Sequence, residues 1–251
     1  ERRIEKGAVI IERPDITINL EGAGESITVS LDEDPLAPKA HLLVSELMVL
    51  TNAALAAWAK EHGVTLLHRT QDVAIPKEFS GIWQTPLEIA RVVKALAPAV
   101  LETNPRPHAG LGEAMYAPST SPLRRYPDMI NETQIISLLR DGKPRWSKEE
   151  LDTLLPLLNA HLDAAGQVQR FRPRYWKLLY FKQQGDRWWP AVITDENDAF
   201  VTANMPKEQM IVRARRQFFG ERTHPGQELE IRLGKVHPLQ NDFQLLETRE
   251  I

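Results

Sequence analysis

The 251-residue sequence contains no cysteine, which excludes disulfides and thiolate metal sites and fits a cytoplasmic protein. No run reaches the ~18 apolar residues of a membrane span, and no signal-peptide pattern opens the chain. The seven histidines (His41, His62, His68, His108, His161, His224 and His237) show no metal-binding spacing such as HxxxH. A GxSxG nucleophile elbow is absent, and Gly110-Leu111-Gly112 lacks the third glycine and the strand-helix setting of a dinucleotide loop. Neither an internal repeat nor a low-complexity segment is visible. What remains is a soluble globular composition, long enough for two domains.

Charge of one sign is also scarce, with a net charge of −3. Divided along the chain, residues 1–167 carry 17 Lys/Arg against 23 Asp/Glu, and residues 168–251 carry 14 against 11. Arg170, Arg172, Arg174 and Lys177 surround Trp176, and Arg213, Arg215 and Arg216 lie along a strand-like run. Cations interleaved with aromatics suit single-stranded nucleic acid, whose phosphates need positive charge and whose bases need flat surfaces.

Residues 7–31 hold three short runs of strand character, with Gly22 and Gly24 turning between the last two. From Lys39 to His62 the chain is almost wholly apolar, which predicts a helix buried on most sides and stopped by Gly63. Within it, Glu46 and Asn52 are expected to bond to neighbouring backbone. Thr85-Pro86-Leu87-Glu88 and Ser147-Lys148-Glu149-Glu150 are capping boxes; the first helix ends near Pro98, the second should kink or restart at Pro156. A further helical pattern starts near Gln167, with a break at Pro173. After Gly185 the pattern turns to period two, giving five candidate strands at 188–194, 199–204, 210–216, 228–236 and 242–247. Five short strands suggest a small OB-type barrel. In the Trp188-Trp189 pair, adjacent strand residues face opposite ways, leaving core and stacking surface both open.

The most informative segment is residues 108–134. It sets a Ser119-Thr120-Ser121-Pro122 turn directly before Arg124 and Arg125, with Pro127 suited to the first turn of a helix. Helix N-termini favour anions, and guanidinium groups grip phosphate oxygens at two points. A solvated surface pair is the plainer reading, because Asp128 lies three residues from Arg125 and offers a local salt bridge.

The wording of this segment goes further. Gly110-Leu111-Gly112, Tyr116 and Thr120-Ser121-Pro122-Leu123-Arg124-Arg125-Tyr126-Pro127-Asp128 resemble the signature of the ribonuclease II (RNB) family, roughly HxGL followed by YxHFTSPIRRYxD. Lys6-Gly7-Ala8-Val9 resembles its GA[LV] strand, and Leu43-Val44-Ser45-Glu46-Leu47-Met48 with Asn52 resembles its LVEExMxxAN helix. Leu67-His68-Arg69-Thr70-Gln71 is similar to its LYRxH strand end, with Gln71 where a histidine is common, and Arg174-Tyr175-Trp176 is similar to an RYW found in some branches.

The resemblance implies an α+β chain: the C-terminal portion of an RNB-like mixed α/β catalytic domain over residues 1–185, then a small all-β OB/S1-like RNA-binding barrel over 186–251. It implies a processive 3′→5′ hydrolytic exoribonuclease acting on single-stranded RNA, releasing nucleoside 5′-monophosphates with Mg²⁺. Arg124 would be the catalytic phosphate clamp. Arg69, Tyr116, Thr120, Ser121, Arg125, Tyr126, Gln169, Arg170, Arg213 and Arg215 would contact RNA, with Arg125 largely structural and Gln169 standing where the family commonly has glutamate. The family's metal ligands are clustered aspartates, which this sequence lacks; Asp32-Glu33-Asp34 reads as a solvated turn before Pro35. The chain is therefore expected to be a fragment partnered by the N-terminal half of the same protein. The alternative is a non-catalytic RNA-binding protein using the same surfaces.

Overall fold

The computed structural model describes residues 1–34, 38–220 and 222–251. The chain divides into two compact units, one comprising Glu1–Glu12, Ala37–Trp83 and Val92–Asp163, the other Arg13–Leu36, Gln84–Arg91 and Ala164–Ile251.

The first unit opens with a single helical turn, α1 (Arg2–Glu5), and strand β1 (Val9–Ile11). The hairpin β2 (Ile16–Glu21) and β3 (Thr28–Glu33) belongs to the second unit, in antiparallel register from Ile16 opposite Glu33 to Glu21 opposite Thr28. Asp32 and Glu33 thus complete a strand instead of forming a turn, Asn19 Nδ2 donating to Asp32 Oδ2 at 2.6 Å. Pro35, the expected end of that turn, lies outside the described residues.

Helix α2 (Pro38–Glu61) ends at Gly63, whose φ of +67° is the left-handed conformation that costs glycine least. Its burial departs from expectation. Ala56 and Ala59 join a core with Val64, Leu66 and Ala117, whereas Leu43, Val44, Leu47 and Leu50 are 55 to 63% exposed. Over Lys39–Glu61 this helix is also long and apolar enough, by length and composition, to cross a membrane, although no unbroken apolar run marks it in the sequence. Apolar character alone predicted burial on most sides; burial needs a covering surface, and the first half of α2 has none among the described residues.

Strand β4 (His68–Thr70) pairs antiparallel with β6 (Val100–Glu102), and β5 (Gly81–Trp83) pairs parallel with β1. Helix α3 (Pro86–Ala95) starts at the expected box, the Glu88 N–H reaching the Thr85 hydroxyl while the Thr85 hydroxyl donates to Glu88 Oε2 at 2.7 Å. Helix α4 (Tyr126–Asp141) has Pro127 in its first turn and ends on Gly142. A second core gathers Leu67 and Ile130 with Leu151 and Leu158 of the following helix.

That helix, α5 (Lys148–Gln184), passes through both Pro156 and Pro173 without restarting. Each proline removes one main-chain hydrogen bond and costs about 3 kcal/mol in a helix interior. The burial of Leu151 and Leu158 around the first proline, and of Leu178 and Phe181 beyond the second, offsets that cost.

In the second unit, β7 (Trp188–Glu196), β8 (Phe200–Met205), β9 (Met210–Arg215), β10 (Glu228–His237) and β11 (Asp242–Glu250) form one antiparallel sheet in the order β11-β10-β7-β8-β9. Register shifts between Ile193 and Asp195, and at Leu233 of β10, bend it into a half-barrel. Trp189, Ile193, Val201, Met205, Val212 and Ile231 fill its interior with Leu178 and Phe181. Trp189 is buried and Trp188 faces outward, stacked 4.3 Å under the Arg249 guanidinium, which divides the tryptophan pair as alternation requires. The architecture is α+β, a mixed α/β portion followed by an OB/S1-like half-barrel.

Candidate nucleic-acid interface

The segment before α4 is held from below by buried amides. Asn131 on α4 accepts the Leu67 N–H at 2.7 Å and donates to the carbonyls of Leu67 and Pro118. Gln134, one turn on, bonds the Thr65 carbonyl and both backbone groups of Trp146. Asn52 on α2 accepts the Ser119 N–H at 2.9 Å and donates to the Tyr116 hydroxyl at 2.8 Å. The backbone bond to Ser119 is the kind expected of Asn52; Glu46 differs, because its carboxylate pairs with the Arg3 guanidinium.

Two glycines of the motif sit in close quarters. The Gly110 N–H donates to Gln71 Oε1 at 2.8 Å, and a Cβ on Gly110 would fall 2.7 Å from that oxygen. Gly112 sits at φ +66° with the Arg3 carbonyl where a Cβ would lie. Gln71 is buried and also donates to the Ala97 carbonyl, so it braces the loop.

The two arginines have different fates. Arg125 turns onto buried Asp128, its Nη2 2.6 Å from Oδ1, and also reaches the Thr120 hydroxyl at 3.3 Å. Asp128 Oδ1 accepts the Ser121 N–H at 3.0 Å as well, so one carboxylate oxygen holds both the turn and the Arg125 guanidinium. Arg124 is exposed, and among the described residues its guanidinium has no hydrogen-bond or ion-pair partner. The free cation at the helix mouth is therefore Arg124. Tyr126 beside it is 55% exposed.

Arg69, Tyr116 and Arg125 line one cavity of about 370 Å³, together with Leu101, Asp128 and Asn159. Thr120 and Ser121 adjoin through their bonds to Arg125 and Asp128, while Arg124 and Tyr126 lie outside the cavity lining. Asp128 Oδ2 is buried without a partner among the described residues. His108, edge-on to Tyr116 at 5.8 Å, has its pKa pushed down to about 4 by burial and then by the Arg69 charge. Burial likewise lowers His68 to about 4, so both imidazoles are neutral at pH 7.

In the second unit, Gln169 and Arg170 are exposed on α5, Arg170 lying back over Gly166. Arg213 and Arg215 are exposed on β9, and Arg213 stacks 4.7 Å over the Phe200 ring. Neither forms an ion pair among the described residues, in contrast to Arg216, which turns to Glu196 at 2.9 Å. Phe200 escaped the sequence reasoning; its place opposite Arg215 on the neighbouring strand depends on register. Asn131 and Gln134 escaped it too, since polar residues in a helix look the same in sequence whether they meet water or carbonyls. Among the described residues no three His, Cys, Asp or Glu side chains gather to hold a metal ion.

The architecture is thus a mixed α/β unit carrying an Arg-Arg turn, joined to a half-barrel with a cation over an aromatic ring. The chain belongs to the RNB domain family, whose model matches residues 1–141, more than half of its length. It is 24% identical, over 98% of its length, to an uncharacterized ribonuclease, sll1290, of Synechocystis, and spans 37% of that protein. In fold it resembles an active-site mutant of the Dss1 exoribonuclease from Candida glabrata, with a TM-score of 0.80 at 22% identity over 97% of this chain and 33% of that one. It also resembles Mycoplasma genitalium RNase R in complex with ribose-methylated single-stranded RNA, with a TM-score of 0.73 at 16% identity over 98% of this chain and 47% of the other. The chain thus spans less than half of each of these proteins, and its relatives include exoribonucleases.

Proposed function

We propose that this chain is the phosphate-gripping and RNA-binding part of a processive 3′→5′ exoribonuclease that releases nucleoside 5′-monophosphates from single-stranded RNA in the cytoplasm. The observation that carries the reading is the division of labour in Arg124-Arg125: Arg125 is locked to Asp128, and Arg124 stands at the helix mouth without a partner among the described residues. A planar guanidinium in that position would take two oxygens of the scissile phosphate and stabilise charge growing on them. Arg69, Tyr116, Thr120, Ser121 and Tyr126 would position the terminal nucleotides around the cavity. Gln169 and Arg170 would contact the incoming strand, Gln169 as a neutral amide that can orient but cannot act as a base. Phe200 with Arg213 and Arg215 would give a base a stacking surface and its phosphates a charge.

The family's divalent ion does not fit the residues described, which offer no carboxylate cluster. We assign the Mg²⁺ ligands to an upstream segment, and the exposed apolar face of α2 to the same segment's packing. The absent cluster equally favours the second reading, a non-catalytic RNA-binding protein. The chain joined to its upstream segment, given single-stranded RNA with a free or a blocked 3′ end, separates the two. Mononucleotide release from the free end alone supports the nuclease; binding of both substrates with no release supports the binder.

A further inference from the structure

Strands β9 and β11 are the two edges of the five-stranded sheet, and the bend of the half-barrel brings residues of both onto one pocket. It measures about 320 Å³ and is lined by Ile211 and Arg213 from β9, Asp242 and Phe243 from β11, and Arg174 from α5. Arg174 is half-buried. Its guanidinium lies 5.6 Å from the Phe243 ring centre and donates to the Met210 sulfur at 3.1 Å, and no carboxylate hydrogen-bonds it among the described residues. A thioether and a ring are weak compensation for removing a guanidinium from water. Burial accordingly lowers the Arg174 pKa, against the pull of Asp242. Arg213, which contributes to the same lining, is likewise without an ion pair among the described residues, and its guanidinium rests over the Phe200 ring of the neighbouring strand.

We propose that this open seam of the barrel is a phosphate site, in which Arg174 and Arg213 hold one phosphodiester of a bound single-stranded RNA. The net positive charge of the seam matches a single phosphodiester. Phe200, stacked under Arg213 on the adjoining face, offers a neighbouring base its platform. The inference rests on the reading above that the barrel binds RNA, and gives that surface a cation from the helix preceding it.

The test is a titration of the 251-residue chain with a single-stranded oligoadenylate of about 12 nucleotides, within the span of one such barrel. Arg174→Met, which keeps the packing against Phe243, is expected to weaken binding on the order of tenfold. It should also flatten the log-affinity against log-salt slope by about 0.7, the value of one lost phosphate contact on a single strand. Arg174→Lys should keep the slope. A folded Arg174→Met protein with unchanged affinity and slope overturns the proposal. If that variant does not fold, the wild-type Arg174 Nε–H NMR signal decides: it should shift as oligoadenylate saturates, and a fixed signal at saturation overturns it. Inorganic phosphate forms the second arm, and a response to it without one to oligoadenylate also overturns the proposal. Absence of any oligoadenylate binding by the wild-type chain defeats the RNA-binding reading itself and takes this inference with it.

Discussion

Arg125 Nη2 lies 2.6 Å from Asp128 Oδ1, and that oxygen also accepts the Ser121 N–H. One carboxylate oxygen therefore ties the turn before α4 to the helix itself. Asp128 is fully buried and Arg125 about one-third exposed, so solvent reaches one side of the pair only. Asp128→Ala would leave the Ser121 N–H and part of the guanidinium unpaired, and should destabilise the fold by about 2 to 3 kcal/mol, less than a fully buried pair would cost. The denaturant midpoint of the variant measures this; a midpoint equal to that of the wild type would show that the turn is held by other bonds.

Arg124 carries the opposite expectation. Its free guanidinium contributes nothing visible to the fold, so Arg124→Lys should leave stability unchanged. In the proposed complete enzyme, with the upstream segment assigned above, turnover should fall by the equivalent of about 2 to 4 kcal/mol with little change in RNA affinity, because lysine keeps the charge and loses the two-point grip. Single-turnover rates beside binding isotherms make the comparison. Full turnover with weakened binding would reduce Arg124 to an anchor.

The buried imidazoles give a pH dependence of defined sign. His68 has a folded pKa of about 4 against an ordinary value of 6.5, so between these values the unfolded chain binds the proton and the folded one does not. Stability is complete above about pH 6.5 and is lost as pH falls towards 4, by about 2 kcal/mol at pH 5 for His68 alone. His108, also lowered to about 4, adds in the same direction. Denaturant unfolding at pH 7 and pH 5, with the histidine NMR titrations, checks this; imidazoles that titrate near pH 6.5 would contradict it.

The barrel strands were legible because one buried face imposes period two on a sheet, and the half-barrel has a single core. Capping boxes and the glycine stop at 63 were legible because they are local chemistry. Helix α2 was misjudged because apolar sequence reports a tendency to be covered and does not supply the cover. A restart at Pro156 and the break at Pro173 were misjudged for a related reason: a local cost of about 3 kcal/mol is visible in sequence, the tertiary burial that offsets it is not. At the candidate interface, the sequence singled out the Arg124-Arg125 pair. The choice of Arg125 as the partner of Asp128, and the bracing by Asn52, Asn131 and Gln134, required the fold.

The central claim is that this chain supplies the phosphate grip and the RNA-binding barrel, and that the metal-holding carboxylates lie elsewhere. The most direct measurement incubates rigorously purified 251-residue chain with 3′-labelled single-stranded RNA and Mg²⁺, beside the same chain joined to its upstream segment. The account predicts binding without degradation by the chain alone, and labelled nucleoside 5′-monophosphate from the joined protein. Robust mononucleotide release by the chain alone would contradict it, because the reacting centre would then have to be built from residues already described.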